Sequence, residues 1–109
     1  MQHFAIMLED LMQQHKARVM IDQTAVLFVY HDGTVFALAD KCPHMGASLF
    51  KGTVENGIVT CRAHRAKIDI KTGAIEEKAR MMFLRLPTRK AKTYPVVIKD
   101  GKVFVEVGS

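Results

Sequence analysis

Apolar and polar residues alternate with a period of two over much of this chain, the pattern of β-strands with one buried face. The alternation is first clear at residues 17–22. Residues 25–30 contain no polar position except a terminal Tyr, and their β-branched and aromatic side chains predict a second strand. Asp32-Gly33 follows and predicts a hairpin turn, because such turns need positive φ angles. Residues 35–38 then predict the return strand.

The second half of the chain shows the same pattern in shorter pieces. Residues 57–60 and 67–70 predict two strands, and the second of these turns at residues 71–73. Residues 81–86 predict a further strand, which ends at Pro87 because proline cannot donate to a strand ladder.

The chain closes on a predicted hairpin. Residues 94–99 and 102–107 alternate on either side of Asp100-Gly101, a second sequence suited to a tight turn. No repeat, linker or low-complexity tract interrupts these elements. The pattern therefore predicts a single all-β, antiparallel domain over residues 1–109.

Residues 3–15 fit two descriptions. Phe4, Leu8, Leu11 and Met12 recur at helical spacing. At this point the pattern alone leaves strand and helix open.

Composition limits the classes of protein to consider. The chain has 109 residues, 49% of them hydrophobic, which suits one globular domain with a modest core. No apolar run approaches the roughly 18 residues that a membrane helix needs, and the first residues do not form a signal peptide. We therefore expect a cytoplasmic protein with no membrane contact.

The charge of the chain gives a hint about partners. A formal net charge of +5 suggests a partner with an acidic surface, although solubility alone accounts for it equally well. Aromatic residues make up only 7% of the chain, Trp is absent, and no nucleic-acid-binding motif occurs. We expect protein partners and no nucleic acid.

Two short clusters carry the candidate chemistry: Cys42-Pro43-His44 and Cys61-Arg62-Ala63-His64. Each offers one thiolate and one imidazole. Together they suit either a tetrahedral zinc ion or a two-iron, two-sulfide cluster with the thiolates on one iron and the imidazoles on the other. A catalytic Cys-His pair is a further reading, but it uses one cluster and leaves the other unexplained. The C-x-H spacing is unusual for zinc modules, so we favour the two-iron cluster.

A longer set of residues resembles the Rieske ferredoxins. It comprises Cys42-Pro43-His44-Met45-Gly46-Ala47-Ser48-Leu49, Gly52, Cys61-x-x-His64 and Asp69-Ile70-Lys71-Thr72-Gly73. The resemblance implies a Rieske-like antiparallel β-sandwich with a small cluster-binding subdomain at one end, at about residues 40–72. It implies one [2Fe-2S] cluster, with Cys42 and Cys61 on one iron and His44 and His64 on the other. Within residues 3–15 it also favours a strand followed by a turn at residues 9–11, and it implies a proline-bearing third loop at Pro87.

The chain departs from the Rieske pattern in ways that bear on function. Arg65 stands where the family usually has Gly after the second ligand His. Ala66 stands where high-potential members carry Ser, and the extra Cys pair of those members is absent. Fewer hydrogen bonds to sulfur stabilise the reduced form less, so we expect a potential at the low end of the Rieske range. The cations near the ligands, Lys41, Arg62, Arg65 and Lys67, tune this value slightly upwards.

The resemblance implies a one-electron carrier, not an enzyme in its own right. We expect a soluble low-potential ferredoxin that accepts electrons from a reductase and passes them to a terminal oxygenase or similar redox enzyme. A small subunit of an assimilatory nitrite reductase is the second hypothesis, and a zinc-binding structural module is the third. An oxygenase catalytic chain needs a mononuclear iron site in a further domain, which 109 residues do not accommodate.

Overall fold

The computed structural model describes residues 2–41, 47–62, 66–77, 80–81, 84–85 and 90–107. Of the predicted features, Cys42, His44, His64, Arg65 and Pro87 lie outside these residues. Among the described residues, no helix is both long enough and apolar enough to span a membrane.

The described strands pair antiparallel throughout, in three sheets and one small hairpin. The first sheet has the order β1-β13-β12, with β1 at His3–Met7, β12 at Val96–Lys99 and β13 at Lys102–Val105. The second has the order β11-β4-β3-β2, with β2 at Lys16–Ile21, β3 at Thr24–His31, β4 at Thr34–Ala39 and β11 at Thr93–Tyr94. The third has the order β5-β6-β7-β8, with β5 at Thr53–Glu55, β6 at Ile58–Thr60, β7 at Lys67–Asp69 and β8 at Ile75–Glu77.

The hairpin joins β9 at Arg80–Met81 to β10 at Leu84–Arg85. In the described part of the chain, the α-helix α1 spans Leu8–Gln14 and a 3-10 turn spans Leu49–Lys51. The predicted all-β class is confirmed, because the described elements are otherwise antiparallel strands.

Strand β3 lies at the centre of the structure and is buried on both faces. Val26 and Phe28 belong to one core, and Leu27 and Val29 belong to another. This explains why residues 25–30 lack polar alternation, since a strand covered on both sides is a continuous apolar run. The turn that follows is confirmed, with Asp32 and Gly33 at φ 53° and 76°.

Two hydrophobic cores, called the Val103 core and the Cys61 core, lie on the two faces of the second sheet. The Val103 core lies where the first sheet, α1 and the second sheet meet, and consists of Leu11, Ala17, Ile21, Val26, Phe28, Val35, Ala37, Tyr94, Val103 and Val105. The Cys61 core lies where the second and third sheets meet, and consists of Leu27, Val29, Leu38, Leu49, Val59, Cys61, Ala66, Ile68, Ile70 and Ala91. The second sheet is therefore the middle layer.

The N-terminal segment combines both of its possible structures. His3–Met7 is a strand, as the resemblance implied, and pairs with β13. The preference for a strand is wrong for Leu8–Gln14, which forms α1. The helix inserts Leu11 into the Val103 core with no solvent exposure, and this burial decides the local structure.

Two further predictions need correction. Residues 94–99 do not form one strand, because Pro95 separates β11, which pairs with β4, from β12, which pairs with β13. Pro95 lacks an amide hydrogen, so the ladder ends there and the chain crosses from the second sheet to the first. Residues 81–86 likewise contribute to two strands that pair with each other, Leu84 opposite Met81, not to a single strand.

Candidate metal centre

Strand β6 delivers Cys61 to the buried side of the third sheet. Its residues alternate, with Val59 buried between two half-buried neighbours, and pairing with β5 and β7 fixes the direction of the strand. Cys61 follows directly and is fully buried within the Cys61 core. Its backbone amide donates to the carbonyl oxygen of Ala66 over 2.8 Å. This bond closes the base of residues 61–66, the segment that contains His64 in the sequence.

Of the four predicted ligands, the structure describes Cys61 alone. Within the described residues Cys61 is the free cysteine, and no three His, Cys, Asp or Glu side chains come together as a metal site. The positions of Cys42, His44 and His64 lie outside the described residues. The ligand assignment therefore remains a prediction.

Residues 42–46, which contain Cys42 and His44, are called the first ligand segment, and the residues on its two sides meet at Asp40. This residue follows β4, and its carboxylate is fully shielded from solvent. Oδ2 accepts hydrogen bonds from Ser48 Oγ at 2.6 Å and Arg18 Nε at 2.7 Å, and Oδ1 accepts the Phe50 amide at 2.6 Å. Residues 42–46 lie between these partners in the sequence, so Asp40 ties the two ends of this segment together.

Asp40 is a residue that the sequence interpretation missed. The available signal is an acidic residue two positions before Cys42, at the end of an apolar strand, where a buried charge requires a partner. The identity of that partner is not readable, because Arg18 lies 22 positions earlier in the chain.

Lys16 supports the same region from β2. Its Nζ donates to the carbonyl oxygens of Phe50 at 2.5 Å and Gly52 at 2.9 Å, and it lies 4.8 Å from the centroid of the Phe50 ring. These carbonyls belong to the 3-10 turn and the residue that ends it, where backbone acceptors otherwise lack partners. Lys16 thus fastens the end of the first ligand segment to the second sheet.

Gly52 brings this segment into contact with the strand that leads to Cys61. A Cβ atom placed on Gly52 would lie 2.0 Å from the carbonyl oxygen of Thr60. Only a residue without a side chain allows this approach. The chain after the first predicted ligands and the chain before Cys61 therefore touch through backbone atoms.

The surface around these segments is basic. Lys41, Lys51 and Arg62 are all exposed. A groove of about 410 Å³ lies beside Cys61, and it is lined by Lys51, Gly52, Thr53, Thr60, Cys61 and Arg62. An acidic surface is the natural complement of this groove.

Comparison with known proteins gives a consistent picture. Residues 3–95 match the family model of the Rieske [2Fe-2S] domain. The 3-phenylpropionate/cinnamic acid dioxygenase ferredoxin subunit of Photorhabdus laumondii is 39% identical over 108 residues, which cover 97% of this chain and 94% of the relative. The anthranilate 1,2-dioxygenase ferredoxin subunit of Burkholderia cepacia is 42% identical over 74 residues, 68% of this chain and 62% of the relative. The solved ferredoxin of carbazole 1,9a-dioxygenase from Nocardioides aromaticivorans superposes with a TM-score of 0.79 over 95% of each chain at 22% identity, a likeness of fold.

Proposed function

Because this chain belongs to the Rieske [2Fe-2S] domain family, we propose that it carries single electrons from a reductase to a terminal oxygenase or a similar redox enzyme. The observation that carries this proposal is the match, along nearly the whole chain, to a dioxygenase ferredoxin subunit of similar length. The relatives are ferredoxin subunits, which carry electrons and are not catalysts themselves. The predicted class of protein is confirmed.

The comparisons also decide between the alternatives. The family match confirms the predicted cofactor, one [2Fe-2S] cluster. It therefore favours the cluster over the zinc-binding structural module. The relatives give no support to a small subunit of nitrite reductase.

We assign Cys42 and Cys61 to one iron and His44 and His64 to the other. Two thiolates and two imidazoles are the donor set of such a cluster, which takes up and returns one electron when bound. The described part of the site fits this assignment in two respects. The Cys61 side chain is buried away from water. Each of the two segments that contain the predicted ligands is closed by hydrogen bonds between the residues at its ends.

We further propose that residues 1–109 form one Rieske domain, whose cluster-binding subdomain is about residues 40–72. This proposal is supported by the third sheet, which contains β5, β6 and β7 and contributes the side of the core where Cys61 lies. We place the protein in the cytoplasm, in keeping with its dioxygenase relatives.

The reduction potential should lie at the low end of the Rieske range, at about −150 mV. Ala66 supports this proposal, because it is fully buried in the Cys61 core and its methyl group offers no hydrogen-bond donor. A potentiometric titration followed by visible absorbance measures the value. A midpoint well above 0 mV would contradict the argument from missing donors.

The first test of the function is electron paramagnetic resonance of the dithionite-reduced, anaerobically purified protein, with iron and acid-labile sulfide assayed on the same sample. We expect a rhombic signal with an average g value well below that of all-Cys clusters. Zinc in place of iron, with no signal, would refute the electron-transfer function.

The ligand assignment is tested by replacing Cys42, His44, Cys61 and His64 singly by Ala. Each variant should lose the signal and the acid-labile sulfide. His3→Ala is the matched control, because His3 lies on β1 in the first sheet and should keep a wild-type cluster. A wild-type signal in any of the four ligand variants would remove that residue from the set.

The acidic partner is tested by the rate of electron transfer from a reductase of a related dioxygenase system at increasing salt. Arg62→Glu should slow the reaction at low salt and reduce its salt dependence, because long-range attraction between exposed charges is screened. Lys99→Glu makes the same charge change on the β12–β13 hairpin of the first sheet and should have little effect. Equal effects of the two variants would exclude docking at the basic groove.

A further inference from the structure

We propose that Asp40 is a positioning residue for the cluster. Its buried carboxylate joins the residues on the two sides of the first ligand segment, and Leu49 packs these residues on the core that contains Cys61. The inference rests on the proposed assignment of Cys42, His44, Cys61 and His64 as ligands.

The carboxylate of Asp40 connects the two sides of the first ligand segment. Asp40 accepts three, from Arg18, Ser48 and Phe50, and the last two lie beyond the segment that contains Cys42 and His44. The Asp40 amide in turn donates to the carbonyl of Ala25 over 2.9 Å, which anchors the residue on the second sheet. One end of the segment is thus fixed to the sheet, and the other end is fixed to Asp40.

The contacts of Asp40 also link the two segments that contain the predicted ligands. Leu49 lies between Ser48 and Phe50, the two residues that donate to Asp40. Leu49 is fully buried, and it belongs to the same core as Cys61. Asp40 therefore fixes the residues on both sides of a side chain that is packed in the Cys61 core, and so sets the position of the first segment relative to the second.

The negative charge of Asp40 should also affect the reduction potential of the cluster. A buried ion pair is weak support for stability, because removing both charges from water offsets most of their attraction. The Arg18 side chain is 45% exposed whereas the Asp40 side chain is 0% exposed, so solvent and salt screen the cation more than the carboxylate. A negative charge close to the cluster disfavours the addition of an electron. Asp40 should therefore lower the potential as well as hold the segment.

The test compares Asp40→Asn with two controls in the cluster-loaded protein. Asn keeps the shape of the side chain, but when its oxygen accepts from Arg18 and Ser48 its NH₂ group faces the Phe50 amide, which is also a donor and so loses its acceptor. Val103→Ala removes two buried methyl groups from the other core, and so lowers stability without touching the ligand segments. Asp22→Asn removes the same charge from a side chain that is 75% exposed.

Loss of the cluster to a strong iron chelator is measured at 10 °C, well below unfolding. Asp40→Asn should lose its cluster at least about tenfold faster than the wild-type protein, the factor expected for loss of one charge-assisted hydrogen bond. Its midpoint potential should rise and its g values should shift. Val103→Ala and Asp22→Asn should keep the wild-type rate, potential and g values. An Asp40→Asn protein that matches Val103→Ala in all three measurements would overturn the inference.

Ser48 provides a second, milder variant in case Asp40→Asn does not fold. Ser48→Ala removes one donor and leaves the contacts of Asp40 with Arg18 and Phe50 in place, so it should accelerate cluster loss by a smaller factor. Ser48→Thr keeps the hydroxyl and should restore the wild-type rate, whereas equal rates for Ala, Thr and Ser would overturn the proposal. A wild-type protein without the Rieske signal refutes the proposed function instead, which keeps the two failures distinct.

Discussion

Gly52→Ala should destabilise the protein through a clash between backbone atoms. The new Cβ would lie 2.0 Å from the carbonyl oxygen of Thr60 and 3.1 Å from its carbonyl carbon. Real Cβ atoms essentially never approach below 3.0 Å, so the two chain segments must separate by at least 1.0 Å. No change of rotamer relieves the clash, since neither atom belongs to a flexible side chain.

The magnitude follows from what opposes this separation. Lys16 holds the carbonyl of Gly52, and β6 is paired on both edges, so neither segment moves freely. Overpacking costs about 1–3 kcal/mol, and this site belongs at the upper end of that range. A loss of about 3 kcal/mol lowers the melting temperature of a domain of this size by about 12–20 °C. Cys61 directly follows Thr60, so the cluster should also be lost faster to a chelator.

Thermal and urea unfolding, with Gly33→Ala as the control, measure the effect. Gly33 has φ 76°, and no atom lies within 4 Å of the position that a Cβ atom would take there, so Ala at this position tests backbone conformation without a clash. The free energy of unfolding of Gly33→Ala should be lower than that of the wild-type protein by about 1–2 kcal/mol, the cost of placing a residue other than glycine in the left-handed region. Gly52 has φ −83°, so Ala is conformationally acceptable there and the steric term is isolated. A Gly52→Ala protein as stable as Gly33→Ala, with a wild-type rate of cluster loss, would refute the reasoning.

Three further predictions concern single side chains. Arg18→Met leaves the buried carboxylate of Asp40 without its cation and should cost about 1–3 kcal/mol in urea unfolding, whereas Arg18→Lys should recover part of this. Lys16→Met should cost about 1–2 kcal/mol by the same assay, because the carbonyl of Phe50 loses a charged donor; a loss no greater than that of the exposed Lys99→Met would contradict this. Burial raises the pKa of Tyr94, so its contribution to stability is complete below pH 10 and declines as the pH rises through the pKa of the folded state. Tyr94→Phe should therefore lose less stability than the wild-type protein between pH 9 and pH 11, and parallel curves would contradict this.

The elements that the sequence predicted well are those whose local pattern agrees with their burial. Residues 25–30 read as a strand because both faces of β3 meet a core, so every position is apolar. The turn at Asp32-Gly33 and the turn at Asp100-Gly101 were predictable because their positive φ angles require particular residues. The two cysteine–histidine clusters were recognisable for a similar reason, because the irons of such a cluster are bound by particular residue types, Cys and His.

The elements that were predicted wrongly depend on tertiary contacts. Leu8–Gln14 is helical because the helix places Leu11 in the Val103 core. The sequence of this segment alone does not reveal that contact. Pro95 is a signal for a break that the prediction of one strand over residues 94–99 overlooked, whereas the change of sheet at that point depends on which strands are neighbours.

Strand β2 shows why the support of the site could not be read from the chain. Lys16 and Arg18 alternate with Ala17 and Val19, a pattern that indicates a solvated polar face. The register places Lys16 opposite Val29 and Arg18 opposite Leu27, so the polar face of β2 continues the face that meets the Cys61 core. At this edge of the sheet the two cations bind backbone carbonyls and a carboxylate of residues that flank the first ligand segment, instead of facing water alone. The alternation of polar and apolar residues along β2 shows which side chains share a face. It does not show that this face is covered by residues between positions 40 and 52. A polar stripe on an edge strand is therefore a candidate anchor for a cofactor loop, and unfolding and cluster-loss measurements on its cations distinguish an anchor from a solvated surface.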